Sequence, residues 1–252
     1  MAITSLTLNM CSFPWLQTLA PPPRMRVCCY SSTQLSVHKT LTHIHSSGVI
    51  ACLRANSAEL ALEAARAALS GGISVVLQQL VQEHPTTTLG VGTVLNVEDA
   101  KNAINAGAKF LMSPAMVKDI MVDAQCGEVL YIPGVMTPTE ILSAYDSGAK
   151  IVKVYPVSVL GGSRYISALK RPFHHISMVA SQGITIDSVR EYITQGASAV
   201  VLSDAIFDKE AISQNNFNEI CRLAHFAALQ GNEALLCSLS FLIHQNNNKK
   251  VP

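Results

Sequence analysis

Ser147-Gly148-Ala149-Lys150-Ile151-Val152-Lys153-Val154-Tyr155-Pro156 is the stretch that decides the fold. A helix-like segment ends at a glycine, which takes positive φ without a Cβ clash, and a β-branched run follows at once. The same joint recurs as Ala106-Gly107-Ala108-Lys109 and Gln195-Gly196-Ala197-Ser198. Working outward, strands are predicted over 49–54, 73–76, 88–93, 109–113, 129–133, 150–156, 175–180 and 198–203, with amphipathic segments between them. These runs are apolar on both faces, as buried parallel strands must be. Helix starts are marked by a cap followed by an acid, at Asn96-Val-Glu-Asp and Thr137-Pro-Thr-Glu. Eight β/α units in about 200 residues predict a small (β/α)8 TIM barrel, with an open doubly wound sheet as the structural alternative.

The chain has 252 residues, 49% hydrophobic and 14% charged, with a net charge of +1. That composition excludes disorder throughout and gives no field for a nucleic acid. The longest apolar stretch, Ala234 to Ile243, is broken by two serines and falls short of the ~20 residues a bilayer requires. The first acidic residue is Glu59. Residues 1–47 carry Arg24, Arg26 and Lys39, are rich in Ser and Thr, and include Pro21 to Pro23, the composition of an organelle transit peptide or a disordered leader. The expected division is therefore 1–47 leader, 48–230 barrel and 231–252 tail. Cys52, Cys126, Cys221 and Cys237 are scattered without a metal or disulfide spacing and read as buried free thiols.

The rhythm has one defect. Gly107, Gly127 and Gly148 are one β/α unit apart, but Gly72 to Gly107 leaves too little chain for two units. Ile73-Ser-Val-Val runs directly into Leu77-Gln-Gln-Leu-Val-Gln-Glu-His with no loop. In a barrel the loop after each strand carries active-site groups, so the second loop is missing and the second strand is expected to pair poorly.

Lys153 is the leading chemical candidate. The two-residue period puts it on the face of Ile151 and Tyr155. Desolvation there favours the neutral amine needed to attack a carbonyl; an ion-paired or snorkelling lysine fits the pattern equally. Thr93 ends the glycine-punctuated strand Gly90-Val-Gly-Thr and reads either as a ligand neighbour or as a turn cap. Arg54 ends the first strand and can hold a carboxylate or lie on the surface. Pro114, Pro133 and Pro156 follow strand ends.

CLRANS (52–57), GVGTVLN (90–96), SP (113–114), PGVMTPTE (133–140), KVYP (153–156) and the last GA-x-AV strand together resemble the 2-keto-3-deoxy-6-phosphogluconate and 4-hydroxy-2-oxoglutarate (KDPG/KHG) aldolases. The resemblance covers about residues 48–230. It implies a homotrimeric class I aldolase that uses neither metal nor cofactor, acts on a small-molecule 2-keto acid and releases pyruvate. Lys153 matches the Schiff-base lysine. Arg54, Thr93 and Pro114 match substrate neighbours, and Tyr155 stands at the family's usual phenylalanine. The family's glutamate at the end of the second strand, and the arginine four residues on, fall in the gap between Val76 and Leu77. The family's phosphate-binding P-T-G-G and G-S are replaced by Ala180-Ser181-Gln182-Gly183 and Ser203-Asp204, a degenerate phosphate site that predicts a non-phosphorylated substrate. With the leader, the resemblance implies a chloroplast or other plastid enzyme. The alternative is a catalytically impaired barrel, a splice form or paralogue with a binding or structural role.

Overall fold

The structure, a computed structural model, describes residues 30–77, 87–125 and 127–248. In chain order the elements are α1 (Tyr30–Ser47), β1 (Val49–Cys52), α2 (Ala58–Ser70), β2 (Val75–Leu77), β3 (Thr88–Gly92), α3 (Val97–Asn105), β4 (Phe110–Met112), α4 (Lys118–Gln125), β5 (Leu130–Ile132), β6 (Gly134–Val135), α5 (Pro138–Asp146), β7 (Ile151–Val154), α6 (Ser163–Lys170), β8 (Ser177–Ser181), α7 (Val189–Thr194), β9 (Ala199–Leu202), α8 (Lys209–Ser213) and α9 (Phe217–Asn248). All strand pairs are parallel, in the order β5-β4-β3-β2-β1-β9-β8-β7-β6. β5 and β6 are two halves of one strand interrupted at Pro133, so the chain itself joins the two ends of the sheet. The eight predicted strands are the eight staves of this (β/α)8 barrel.

The local signals act as read. Asn96 Oδ1 accepts from the Asp99 backbone N–H at the start of α3, and Thr137 and Glu140 form a reciprocal capping box at the start of α5. Gly148 and Gly196 follow helix ends at φ +93° and +107°, where any other residue would be strained.

Two apolar layers result. The outer faces of the strands pack against the helices, while Ile50, Val75, Phe110, Met112, Ile151 and Val201 fill the barrel interior. Gly90 is required there, because a Cβ would lie 2.4 Å from the Phe110 ring.

The N-terminal end of the barrel is closed by α1. Ile44 is fully buried in the interior cluster, with Val37 and Leu41 packed beside it, and His43 Nδ1 is hydrogen-bonded to Thr88 Oγ1 at 2.5 Å. The packed unit therefore begins upstream of Gly48, where the sequence placed the boundary. The C-terminal boundary also moves. α9 continues through Gly231 to Asn248, and Ala234 is fully buried. A Cβ at Gly231 would come within 2.8 Å of the Val49 side chain, and one at Gly71 within 2.4 Å of the Cys221 carbonyl, so small residues bring α9 against β1 and α2. Gly231 and Ala234 are thus packed in the fold rather than in a tail, and the helix that carries them runs on to Asn248.

β2 pairs on both sides in register, Ala51 with Val76 and Val76 with Leu89, contrary to the poor pairing expected of it. The shortage lies in its connection. Residues 78–87, ten positions, join Leu77 to Thr88, whereas 136–150, the shortest other crossover, spans fifteen. A parallel crossover ordinarily needs a dozen or more. The stretch read as following the strand without a loop, 77–84, lies outside the described residues beyond Leu77.

Ile44→Ala is expected to destabilise the chain by about 2–4 kcal/mol through the cavity it leaves under the barrel. Urea unfolding checks this; a loss under 0.5 kcal/mol would show that α1 does not seal the barrel.

Candidate active site

Lys153 occupies the third position of β7. Its backbone N–H donates to the Pro133 carbonyl at 2.8 Å, and its Cα partners are Gly134 and Val179. Alternation from the buried Ile151 turns it into the barrel, where the residue is 8% exposed. Among the last interior positions of the other strands, four are small or polar, Cys52 above Ile50, Gly92 above Gly90, Ser181 above Val179 and Ser203 above Val201, while Met112 and Ile132 are large and apolar. Space for a small molecule beside the amine follows from those short side chains.

Gly134, across from Lys153, has a second role. A Cβ there would lie 2.1 Å from the Pro114 carbonyl group. The bare glycine admits the Ser113-Pro114-Ala115 turn, which is held by a 2.6 Å hydrogen bond between Ser113 Oγ and Tyr131 Oη. Pro114 is thereby brought to the strand beside the lysine.

The electrostatics favour a reactive amine. Burial lowers the Lys153 pKa to about 8, and the Arg54 guanidinium pushes the same way. The Cys52 thiol opposes them. Among the described residues no carboxylate pairs with the ammonium. Its Nζ instead lies over the Tyr155 ring, 4.9 Å from the centroid. Burial pushes the Cys52 thiol up, against the pull of Arg54, Lys153 and a hydrogen bond with Ser203. Sequence reasoning took Cys52 for an ordinary buried thiol; its two-residue spacing from Ile50 was the available signal.

Strain collects at the same end of the barrel. Thr93, just past β3, has φ +62°, and Gln182, just past β8, has φ +87°. Positive φ is a genuine outlier for a β-branched residue, and such strain concentrates at functional sites. Thr93 is not the cap of α3, a role taken by Asn96.

The far side of the mouth is built from Ser158, Ser181, Gln182, Gly183, Ser203 and Asp204. Ser158 Oγ donates to Gln182 Oε1, and a Cβ at Gly183 would collide with Ser158 at 2.4 Å. Gln182 therefore fills a glycine-type backbone position with a side chain already engaged. Asp204 differs from expectation in its surroundings. It is exposed and lies 3.7 Å from the Lys209 ammonium, so its repulsion of an anion is screened by water and by that partner. Lys153, Arg54 and Cys52 are close enough to perturb one another, with Tyr155 against Lys153 and Ser203 against Cys52. Thr93, Pro114, Gln182 and Asp204 lie on the loops around them. Among the described residues no group of three or more His, Cys, Asp or Glu side chains could hold a metal ion, and no helix is long and apolar enough to cross a membrane.

A family model described as KDPG and KHG aldolase matches residues 41–223, starting inside α1. A 2-dehydro-3-deoxy-phosphogluconate aldolase of Treponema pallidum (strain Nichols) is 31% identical over 188 residues, covering 70% of this chain and 90% of that protein. The KHG/KDPG aldolase of Escherichia coli (strain K12) is 26% identical over 181 residues, covering 67% and 85%. The solved structure of a Legionella pneumophila KDPG aldolase, with pyruvate captured as a covalent carbinolamine, superposes with a TM-score of 0.67 at 24% identity, covering 74% of this chain and 96% of that one; the likeness is one of fold.

A lysine whose folded pKa is lowered is destabilising below that pKa, because the unfolded chain holds the proton more readily. With a folded value about 8 and an unfolded value of about 10.4, the penalty is complete below pH 8 and fades between pH 8 and 10.4. Lys153→Met is expected to stabilise the protein by about 1–3 kcal/mol at pH 7, and the gain should shrink across that window. Denaturant unfolding at pH 7 and pH 10 decides it; a destabilised variant at pH 7 would count against the desolvated amine.

Proposed function

The chain belongs to the KDPG and KHG aldolase family, and from that premise we propose that it is a class I aldolase whose Lys153 forms a Schiff base with a non-phosphorylated 2-keto-4-hydroxy acid. The aldolase function is that of its relatives. The covalent role rests on one observation: a buried amine with a pKa lowered to about 8, facing small side chains at the C-terminal mouth of a barrel.

The chemistry follows from that amine. At pH 7.5 roughly a quarter of the Lys153 side chains are neutral, against about one in a thousand for an ordinary lysine. The neutral amine adds to the C2 carbonyl, and loss of water leaves an iminium. The iminium takes the electron pair of the C3–C4 bond as that bond breaks, releasing an aldehyde and leaving the enamine of pyruvate. Arg54 supplies a guanidinium for the keto-acid carboxylate. Thr93, Pro114 and Tyr155 bound the space around the reacting carbons.

The distal end of the mouth supports the choice of substrate. Gln182 stands where a phosphate would need bare backbone, and Asp204 adds a negative charge. In wet surroundings that charge is worth about 1 kcal/mol against a dianion, so a preference of about fivefold is expected.

A homotrimer, and delivery of the chain to a plastid, are carried as part of this proposal. Cleavage of a leader would fall upstream of Val37, because removal at Gly48 would take Ile44 out of the barrel.

Incubation with pyruvate and borohydride should give a stable mass adduct that is absent in Lys153→Ala, forming faster as pH rises towards about 8 and levelling above it. The non-phosphorylated 2-keto-4-hydroxy acid should be cleaved with the higher kcat/KM. A folded chain that gives no adduct would instead select the impaired barrel, a reading whose support is the ten-residue β2–β3 connection; a clear preference for the phosphorylated acid would overturn the substrate assignment.

A further inference from the structure

Cleavage through Lys153 leaves three proton transfers to assign: one to the departing carbinolamine hydroxyl, one from the C4 hydroxyl, and one to C3 of the enamine. β2 ends in Val75-Val76-Leu77, with no carboxylate on the strand that pairs with Cys52 and Gly90. Among the described residues, the group that moves these protons lies elsewhere at the mouth.

Among the described residues, other ionisable groups near the mouth are already engaged or unsuited, Tyr165 among them, its hydroxyl donating to the Met136 carbonyl at 2.7 Å. Arg54 stays protonated and cannot accept a proton. Glu140 is consumed in the helix start, its Oε2 accepting from the Met136 and Thr137 backbone N–H groups at 2.6 and 2.9 Å. Tyr131 Oη is tied to Ser113 and accepts from the Val117 N–H at 3.0 Å. Asp204 is exposed and faces Lys209. Cys52 is hydrogen-bonded with Ser203, and burial holds it as a thiol.

Tyr155 remains. It lies two residues beyond Lys153, half-buried, and its ring is the surface against which Nζ rests at 4.9 Å. Among the described residues no group is hydrogen-bonded to its hydroxyl. A phenol can both donate and accept, and a substrate carbon bonded to Nζ would be held alongside this ring.

We propose that the Tyr155 phenol is the acid–base residue of this chain's carbon–carbon cleavage, an inference that rests on the Schiff-base reading of Lys153. Its proton goes to the carbinolamine hydroxyl, which leaves as water, giving the iminium and a phenolate. The phenolate takes the C4 hydroxyl proton; the O–H electrons become the aldehyde C=O, the C3–C4 pair becomes the enamine double bond, and the C=N pair returns to nitrogen. The phenol then protonates C3. Water adds to C2 of the resulting pyruvate iminium and gives its proton to the phenolate, and collapse of that carbinolamine frees pyruvate and the lysine. The tyrosine ends as it began, and no further reactant is needed.

The test uses the full chain, its Tyr155→Phe variant and the Lys153→Ala control, with folding checked by circular dichroism. Two readouts are compared: the equilibrium yield of the pyruvate–borohydride adduct, and the rate of deuterium entry into the pyruvate methyl group in D2O, followed by proton NMR. Tyr155→Phe should keep the adduct and lose at least about 100-fold in exchange rate, within the range general acid–base groups contribute. Exchange within threefold of the unaltered chain overturns the assignment of Tyr155 and leaves the lysine in place. Loss of the equilibrium adduct in a folded Tyr155→Phe overturns it by making the hydroxyl a group that holds the imine rather than one that moves its protons. No adduct in the unaltered chain removes the Schiff base itself, and the inference with it.

Discussion

The site depends on holding an amine away from water without giving it, among the described residues, a carboxylate. A lysine between Val152 and Val154, in a strand buried on both faces, loses hydration that the barrel returns in part through the face of Tyr155 and the Cys52 thiol. That arrangement opposes folding below pH 8 and favours nucleophilic attack over the same range. The rest of the molecule can be read as what makes it tolerable. Parallel pairing with β6 and β8 fixes the backbone of Lys153, and the apolar layer beneath it is closed at the far end by Ile44.

That closure is why the ends of the chain matter. A barrel open at its N-terminal end would wet Ile50, Phe110 and Ala199 from below, and α1 prevents it. His43 also holds Thr88, the first residue of the strand entered from the ten-residue connection. The shortest crossover is thus met at its exit by a fixed hydrogen bond, and β2 keeps its register with both neighbours.

Much of this was legible in the sequence, and for local reasons. Helix-ending glycines, the Asn96 and Thr137 caps and the doubly apolar strands act within a few residues, so they read correctly in isolation. Lys153 stood out because a two-residue period is simple. α1 was missed although Val37, Leu41 and Ile44 recur at four and three; such a stripe has meaning only against a barrel end that the leader does not encode. α9 was cut short for a similar reason: Ala224, Ala227, Gly231 and Ala234 form a seam of small residues whose value is close approach to α2 and β1. The positive φ of Thr93 and Gln182, and the meeting of Cys52 with Ser203, arise from strands distant in sequence and left no local mark.

The account stands on the state of one side chain. Titration of the Lys153 ε-amine by NMR, with the lysine ε-carbons labelled and the resonance assigned by its loss in Lys153→Met, measures that state directly. A midpoint near 8 is the expected result. A midpoint near that of an ordinary lysine, about 10.4, would mean that the amine is solvated or paired, and would contradict the account.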